Sequence, residues 1–229
     1  MSINVKLTAD KLRKRKKSYR IAKGILAILL LVIIVTYFAF HVLYKGYNFT
    51  VSLDENLYYE NNIIIYDDSN YKTYRQQIRV ESLERFDNIS HKWLPTDLDN
   101  YEGSHNGENY LAYSFYIENM GEDTVDYYNE IIIDDVIKNV DDAIRIRVYF
   151  NGEPTTYAKM SARGVPETGT VAFESKEVVK SSKHEDFKPG DKHKYTIVMW
   201  LEGSDLECTN NIIGGEFKAH MEFNSEFVD

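Results

Sequence analysis

The residues with the most chemical reach lie in the last quarter of the chain. His184 and Glu185 begin the pattern of a zinc peptidase, in which two imidazoles one helical turn apart hold the metal and the glutamate activates water. Position 188, however, is Lys, so a second imidazole does not face the first across the turn. His184, His193 and His220 supply a zinc set only if the fold brings them together, and their spacing does not require it. Solvated loop histidines and one strand-edge histidine are the plainer expectation. Cys208 is the single cysteine. As a nucleophile of sortase type it needs a base and a cation beside the sulfur, for which Arg145, Arg147 and His220 are the candidates; otherwise it is a small residue packed at a turn, or the site of a reversible intermolecular disulfide.

Acidic groups are plentiful and less specific. Asp97, Asp99 and Glu102 sit in the polar stretch 95–109 and offer oxygen ligands, yet the glycine of a calcium loop is not at its place, so a solvated loop is expected. The doublets Asp67-Asp68, Asp134-Asp135 and Asp141-Asp142 do not define a glycosidase pair, because neighbours on a strand point to opposite faces. No Gly-x-Ser-x-Gly and no phosphate-binding glycine loop occurs. No catalytic, cofactor-binding or metal residue is therefore assigned, and a non-catalytic protein is favoured over an exterior hydrolase or transpeptidase using zinc or Cys208.

The elements that carry these residues divide the chain in three. Residues 1–23 hold nine Lys and Arg against Asp10 alone; residues 24–44, GILAILLLVIIVTYFAFHVLY, hold no Asp, Glu, Lys or Arg; residues 45–229 follow. At ~1.5 Å per residue a helix over 24–44 spans a ~30 Å hydrocarbon layer, and the basic flank keeps the N-terminus cytoplasmic. The expectation is a single-pass protein of the cell membrane with its C-terminal domain outside and Tyr37, Tyr44 and Tyr47 at the outer interface. A cleaved secretory signal shares the basic start, but Ala39-Phe40-His41 is a poor small-x-small site, so an uncleaved anchor is expected. The whole chain carries −9; with +8 in the first 23 residues, the remainder carries −17. That charge argues against a nucleic-acid partner. One cysteine excludes an internal disulfide, and usage rich in Ile, Asn, Lys and Tyr points to a Gram-positive surface. The triplets at Asn48 and Asn88 match a glycosylation sequon and mean little there.

Beyond the helix, alternation marks short strands. Residues 47–53 form the first, 62–66 the second, and 71–93 fit a strand followed by a helical turn through Leu83 and Phe86. Residues 110–118 are the clearest long strand, with Leu111, Tyr113, Phe115 and Ile117 turned to the core. A strand over 125–133 precedes a helix over 134–140 with Asp134 as N-cap. In 143–150 the Ile, Val and Phe side is buried and the Arg145, Arg147 and Tyr149 side is basic and wet. Asn151-Gly152 then makes a hairpin turn with a return over 155–160. Further strands are expected at 171–173, 177–179 and 216–223, with a polar run over 180–186. The strand 194–201 is apolar enough to be central and covered on both faces. Eight to ten strands with one short helix predict an all-β antiparallel sandwich of jelly-roll or immunoglobulin-like type.

Phe187-Lys188-Pro189-Gly190-Asp191, then Tyr195 to Cys208 with its Trp-Leu-Glu-Gly core, then Gly214-Gly215, resemble the tail of bacterial surface proteins of the TasA/camelysin group. The resemblance is best over residues 143–223, weaker over 47–142 and absent from the basic N-terminus. It implies a jelly-roll sandwich displayed on the cell surface as a matrix or fibre subunit, and the camelysin name brings proteolysis with it. Leu206 stands where the group usually has proline, and a long anchor stands where it has a cleavable signal, which puts release and fibre formation in question. The residues also have a structural account: Gly203 permits a sharp turn, and Gly214-Gly215 permits unusual dihedral angles or a close backbone approach. The expected role is envelope or matrix architecture, through a surface protein or polymer partner or by self-association at strand edges. The alternative to architecture or enzyme is a membrane-tethered sensor or accessory subunit whose basic segment meets a partner or anionic lipid.

Overall fold

The structure, a computed structural model, describes residues 3–44, 49–81 and 87–225. It divides into two compact units, Met1–Gly46 and Tyr47–Asp229. Tyr47, Asn48, Leu83 and Phe86, and the side chains of residues 39–44, lie outside what is described.

The first unit is one helix, α1 (Ile3–Tyr44). It contains a stretch, Arg13–Phe38, long and apolar enough to cross a membrane. Its aliphatic side chains from Ile25 to Val35 are exposed all round the helix, so no single face of it alone is apolar. The hydroxyl of Thr36, next along the helix, donates back to the carbonyls of Val32 and Ile33 at 2.7 and 3.0 Å, so it is satisfied within the helix.

Among the described residues the second unit has twelve strands: β1 (Phe49–Leu53), β2 (Ile63–Tyr66), β3 (Gln77–Val80), β4 (Gly103–Ser104), β5 (Tyr110–Asn119), β6 (Val125–Ile137), β7 (Ile144–Phe150), β8 (Glu153–Ala158), β9 (Val171–Ala172), β10 (Val178–Phe187), β11 (Lys192–Leu201) and β12 (Glu216–Asn224). They form two sheets. One runs β10-β6-β12-β1-β3; the other runs β2-β5-β11-β7-β8-β9, with β4 also on β5. Phe49, Val51, Met221 and Phe223 from the first meet Leu111, Phe115, Ile146 and Ile197 from the second in one buried cluster. Each large side chain so buried contributes about 1.5–3 kcal/mol. Pairing is antiparallel except at β1/β12 and β8/β9, which are parallel.

Where apolar alternation is strong, the strands fall as predicted. Leu111, Tyr113, Phe115 and Ile117 face the core, as do Phe217, Ala219, Met221 and Phe223. Asn151 and Gly152 both have positive φ, 48° and 92°, the conformation a two-residue hairpin turn needs, although the return strand begins earlier, at Glu153. Central β11 lies between β5 and β7.

Three expectations are corrected. Residues 134–137 are strand, not helix: β6 continues beside β12 through Ile137, and Asp134 is no N-cap but the extra residue where the register shifts between Lys218 and Ala219. Val136 and Ile137, which fit a helical face, fit a paired strand equally well. The polar run 180–186 is likewise strand β10, held by the β6 ladder. Finally, the arginine face of β7 is not wet. Residues 87–109 fold over the outer side of the second sheet, where Leu94 and Leu98 pack on Ala112, Tyr149, Val198 and Trp200, and Arg145 keeps only 4% of its surface.

Candidate functional site

Two polar constellations are built at the two ends of β11. At its start, β6 contributes Tyr127, β10 contributes His184, and β11 contributes His193 and Tyr195. The Tyr195 hydroxyl lies 3.2 Å from Nε2 of His184 and 3.0 Å from the Tyr127 hydroxyl. The Tyr127 hydroxyl in turn lies 2.5 Å from Nδ1 of His193. Asn129 extends the chain, donating to the Tyr195 hydroxyl at 3.3 Å and accepting from Nζ of Lys180 at 3.0 Å. Phe150 and Phe187 close over the imidazoles, with ring centroids 4.5 Å from His184 and 4.7 Å from His193.

This enclosure sets the protonation states. Burial, with the neighbouring His193 and Lys180, lowers His184 to about 4. Burial also lowers His193, against the pull of Asp191, and brings Lys180 down to about 8. Burial raises both phenols. Near neutral pH the group is therefore two neutral imidazoles and two protonated phenols in one hydrogen-bonded chain. Among the described residues no carboxylate hydrogen-bonds to either imidazole, so the orienting acid that a catalytic histidine uses is not in place.

The histidines thus converge in part. His184 and His193 have ring centroids 5.4 Å apart. His220 instead lies on β12, with Nδ1 2.7 Å from Asp134 and Nε2 3.6 Å from Glu222. The three do not form one ligand set.

The other constellation follows β11. Glu202 is buried and accepts from the backbone N–H of His91 (2.9 Å), Nε1 of Trp200 (3.1 Å), and the backbone N–H (3.2 Å) and hydroxyl (2.5 Å) of Ser204. Burial alone raises its carboxyl, but those donors outweigh burial and hold it at about 2. Beside it Arg145, from β7, forms a buried ion pair with Asp205, donates to the Ile144 carbonyl at 3.0 Å, and stands 3.9 Å from Glu167. Carboxylate oxygens of Glu167, Asp205 and Glu207 lie within 4.8 Å of one another. The guanidinium of Arg145 already supplies positive charge there. The cleft they line encloses about 80 Å³.

Cys208 borders this corner, half-buried. Burial raises its thiol, and Asp205, Asp87 and Glu202 add to the effect against Arg145, the reverse of what a thiolate nucleophile requires. Arg147 is turned elsewhere, donating to the Thr156 hydroxyl at 2.9 Å with its guanidinium 5.2 Å from the Trp200 ring centroid.

The acidic loop does not gather a cation set either. Asp97 accepts from the Tyr101 hydroxyl (3.1 Å), Asp99 from the Thr196 hydroxyl (2.6 Å), and Glu102 from the Tyr116 hydroxyl (2.7 Å). The glycines behave as their positions suggest. A Cβ on Gly215 would lie 2.7 Å from the Ile137 carbonyl oxygen, and one on Gly203 2.4 Å from the Asn88 side chain. Sequence reasoning missed Tyr127, Tyr195, Glu202 and Asp205. For Glu202 a signal existed, an acid directly after an apolar strand ending in tryptophan; for the phenols none did, because 18 tyrosines are spread through the chain.

No protein-family model matches the chain, and no curated protein matches it. Among solved structures, the β-glucosidase of Kluyveromyces marxianus in complex with glucose is 12% identical over 73% of this chain, with a TM-score of 0.26. A selenomethionine-labelled form of that enzyme is 11% identical over the same share, also at 0.26. The chain spans 15% and 17% of those chains, and scores this low carry no inference.

Proposed function

We propose that this is a membrane-anchored, non-catalytic β-sandwich protein of jelly-roll or immunoglobulin-like type, displayed outside the cell for envelope or matrix architecture in the manner of TasA/camelysin-like proteins. The observation that carries this reading is the joining of an exposed apolar helix, basic on its N-terminal side, to a separate acidic unit with its own core. A short Lys- and Arg-rich flank stays on the cytoplasmic side, which puts residues after Tyr44 outside.

The site geometry favours architecture over catalysis. The imidazole pair lacks an orienting acid, the thiol is disfavoured as thiolate, and in the acidic corner Asp205 is already paired with Arg145. Partner contact uses the open length of strand edge. The outer edge of β2 is bridged by Arg75, and β9 is two residues long. The first part of β10 is covered by the turn at Glu174 and Ser175. Among the described residues that leaves β3, the start of β8, which β9 pairs only at Tyr157 and Ala158, and the far part of β10, where the exposed Lys183 and Glu185 restrict pairing to a partner that complements them.

The test combines protease treatment of intact cells with mass spectrometry of the mature N-terminus. Cleavage within 49–225 together with an intact N-terminus supports the reading. Protection of the second unit in intact cells, with cleavage only after lysis, overturns it.

A further inference from the structure

Resting on the membrane-crossing reading, we propose that the basic part of α1, Lys11–Lys23, is a docking collar for anionic phospholipid headgroups of the cytoplasmic leaflet. Eight of these 13 residues are Lys or Arg, and Asp10 is the only acid in the first 23 residues. The helix runs from Ile3 through this segment into the apolar stretch without a break, so the cations are stacked along about 18 Å of axis directly against the span.

Their arrangement selects the partner. Successive residues on a helix turn by ~100°, so Lys14, Arg15, Lys16 and Lys17 occupy its whole circumference, and all four are exposed. A groove on a folded protein meets one face of a helix and leaves the others charged and unpaired. A headgroup layer surrounds the helix and meets every side. Lys17, Arg20 and Lys23 lie within about one Debye length of the start of the apolar run, where surface charge is felt. Their aliphatic stems allow the charged heads to reach the interface. Tyr19 sits among them at a depth suited to an interfacial aromatic, with Nζ of Lys23 5.2 Å from its ring centroid.

The experiment uses the full chain reconstituted in phosphatidylcholine bilayers, with spin-labelled phosphatidylglycerol or spin-labelled phosphatidylcholine as probe. Lipid held at the helix gives a motionally restricted spectral component. At low salt, phosphatidylglycerol is expected to associate about fivefold more strongly than phosphatidylcholine. The preference should fall towards unity near 1 M salt, where the Debye length is about 3 Å. It should also fall clearly, without vanishing, in the variant carrying Lys14→Gln, Arg15→Gln, Lys16→Gln and Lys17→Gln, which keeps Arg20 and Lys23 and whose restricted phosphatidylcholine shows that it still inserts. Equal association of both lipids with the unaltered chain, or full selectivity kept by the variant, overturns the collar while leaving the span intact. Absence of any restricted lipid with either headgroup removes the span itself, and the collar with it.

Discussion

The two ends of β11 satisfy buried polar groups by opposite means. At His193 and Tyr195 the network is neutral, a chain of phenols and imidazoles with burial acting to keep every proton where it is. At Trp200 and beyond the network is ionic, with Glu202 ringed by donors and Arg145 paired to Asp205. The difference shows that enclosure and hydrogen bonding are separate controls on charge. Burial without donors to the charged form drives His184 towards neutrality, whereas burial with four donors drives Glu202 towards ionisation. The two ends should therefore fail under different conditions.

The largest effect is expected at the ionic end. Arg145→Met strands the Asp205 carboxylate, whose side chain keeps 1% of its surface, and should cost about 3–5 kcal/mol in urea unfolding. The double change Arg145→Met with Asp205→Leu should recover most of that loss. If it recovers none, the corner is held by packing and the contrast between the two ends is false.

Acid sharpens the comparison next. Glu202, near 2 when folded against an ordinary carboxylate unfolded, stabilises fully above the unfolded value and loses that contribution as pH falls from about 4.5 towards 2. Glu202→Gln should cost about 2 kcal/mol at neutral pH and flatten this lower limb of the stability profile. His184, near 4 when folded against 6.5 unfolded, takes its proton more readily once unfolded, so stability falls as pH drops from about 6.5 to 4. His184→Gln should shrink that upper step by about 1–2 kcal/mol for a half-buried ring, leaving the smaller share from His193, and leave the Glu202 step in place. Two separable acid steps are the expected result of equilibrium unfolding across pH; one merged step would mean that the ends are not independent. The smallest change is Cys208→Ala, expected within about 0.5 kcal/mol, since the thiol is half-buried and bonded to nothing essential.

Much of the fold was legible because apolar alternation survives wherever one sheet face meets the core. β5, β11, β12 and the Asn151-Gly152 turn follow from local pattern alone. β10 was not legible, since Lys180 to Asp186 owes its extended form to the β6 ladder rather than to its own composition. The end of β6 was misread because period-two and helical spacing coincide over four residues. The arginine face of β7 was misread because its cover, residues 87–109, comes from far upstream. The site was less legible still. Its histidines could be named, but Tyr127 and Tyr195 meet them only through pairing between distant strands, and Glu202 acquires its donors from the distant His91 as well as from Trp200 and Ser204.

The parallel seam between β1 and β12 has a mechanical meaning. Phe49 to Leu53 run beside Ala219 to Phe223 in the same direction, so tension entering before Phe49 and leaving after Asn224 slides the two strands past each other lengthwise. Every bond of that ladder is then loaded together, instead of parting one at a time as in an unzipping hairpin. A unit of this kind resists being pulled open by its own ends.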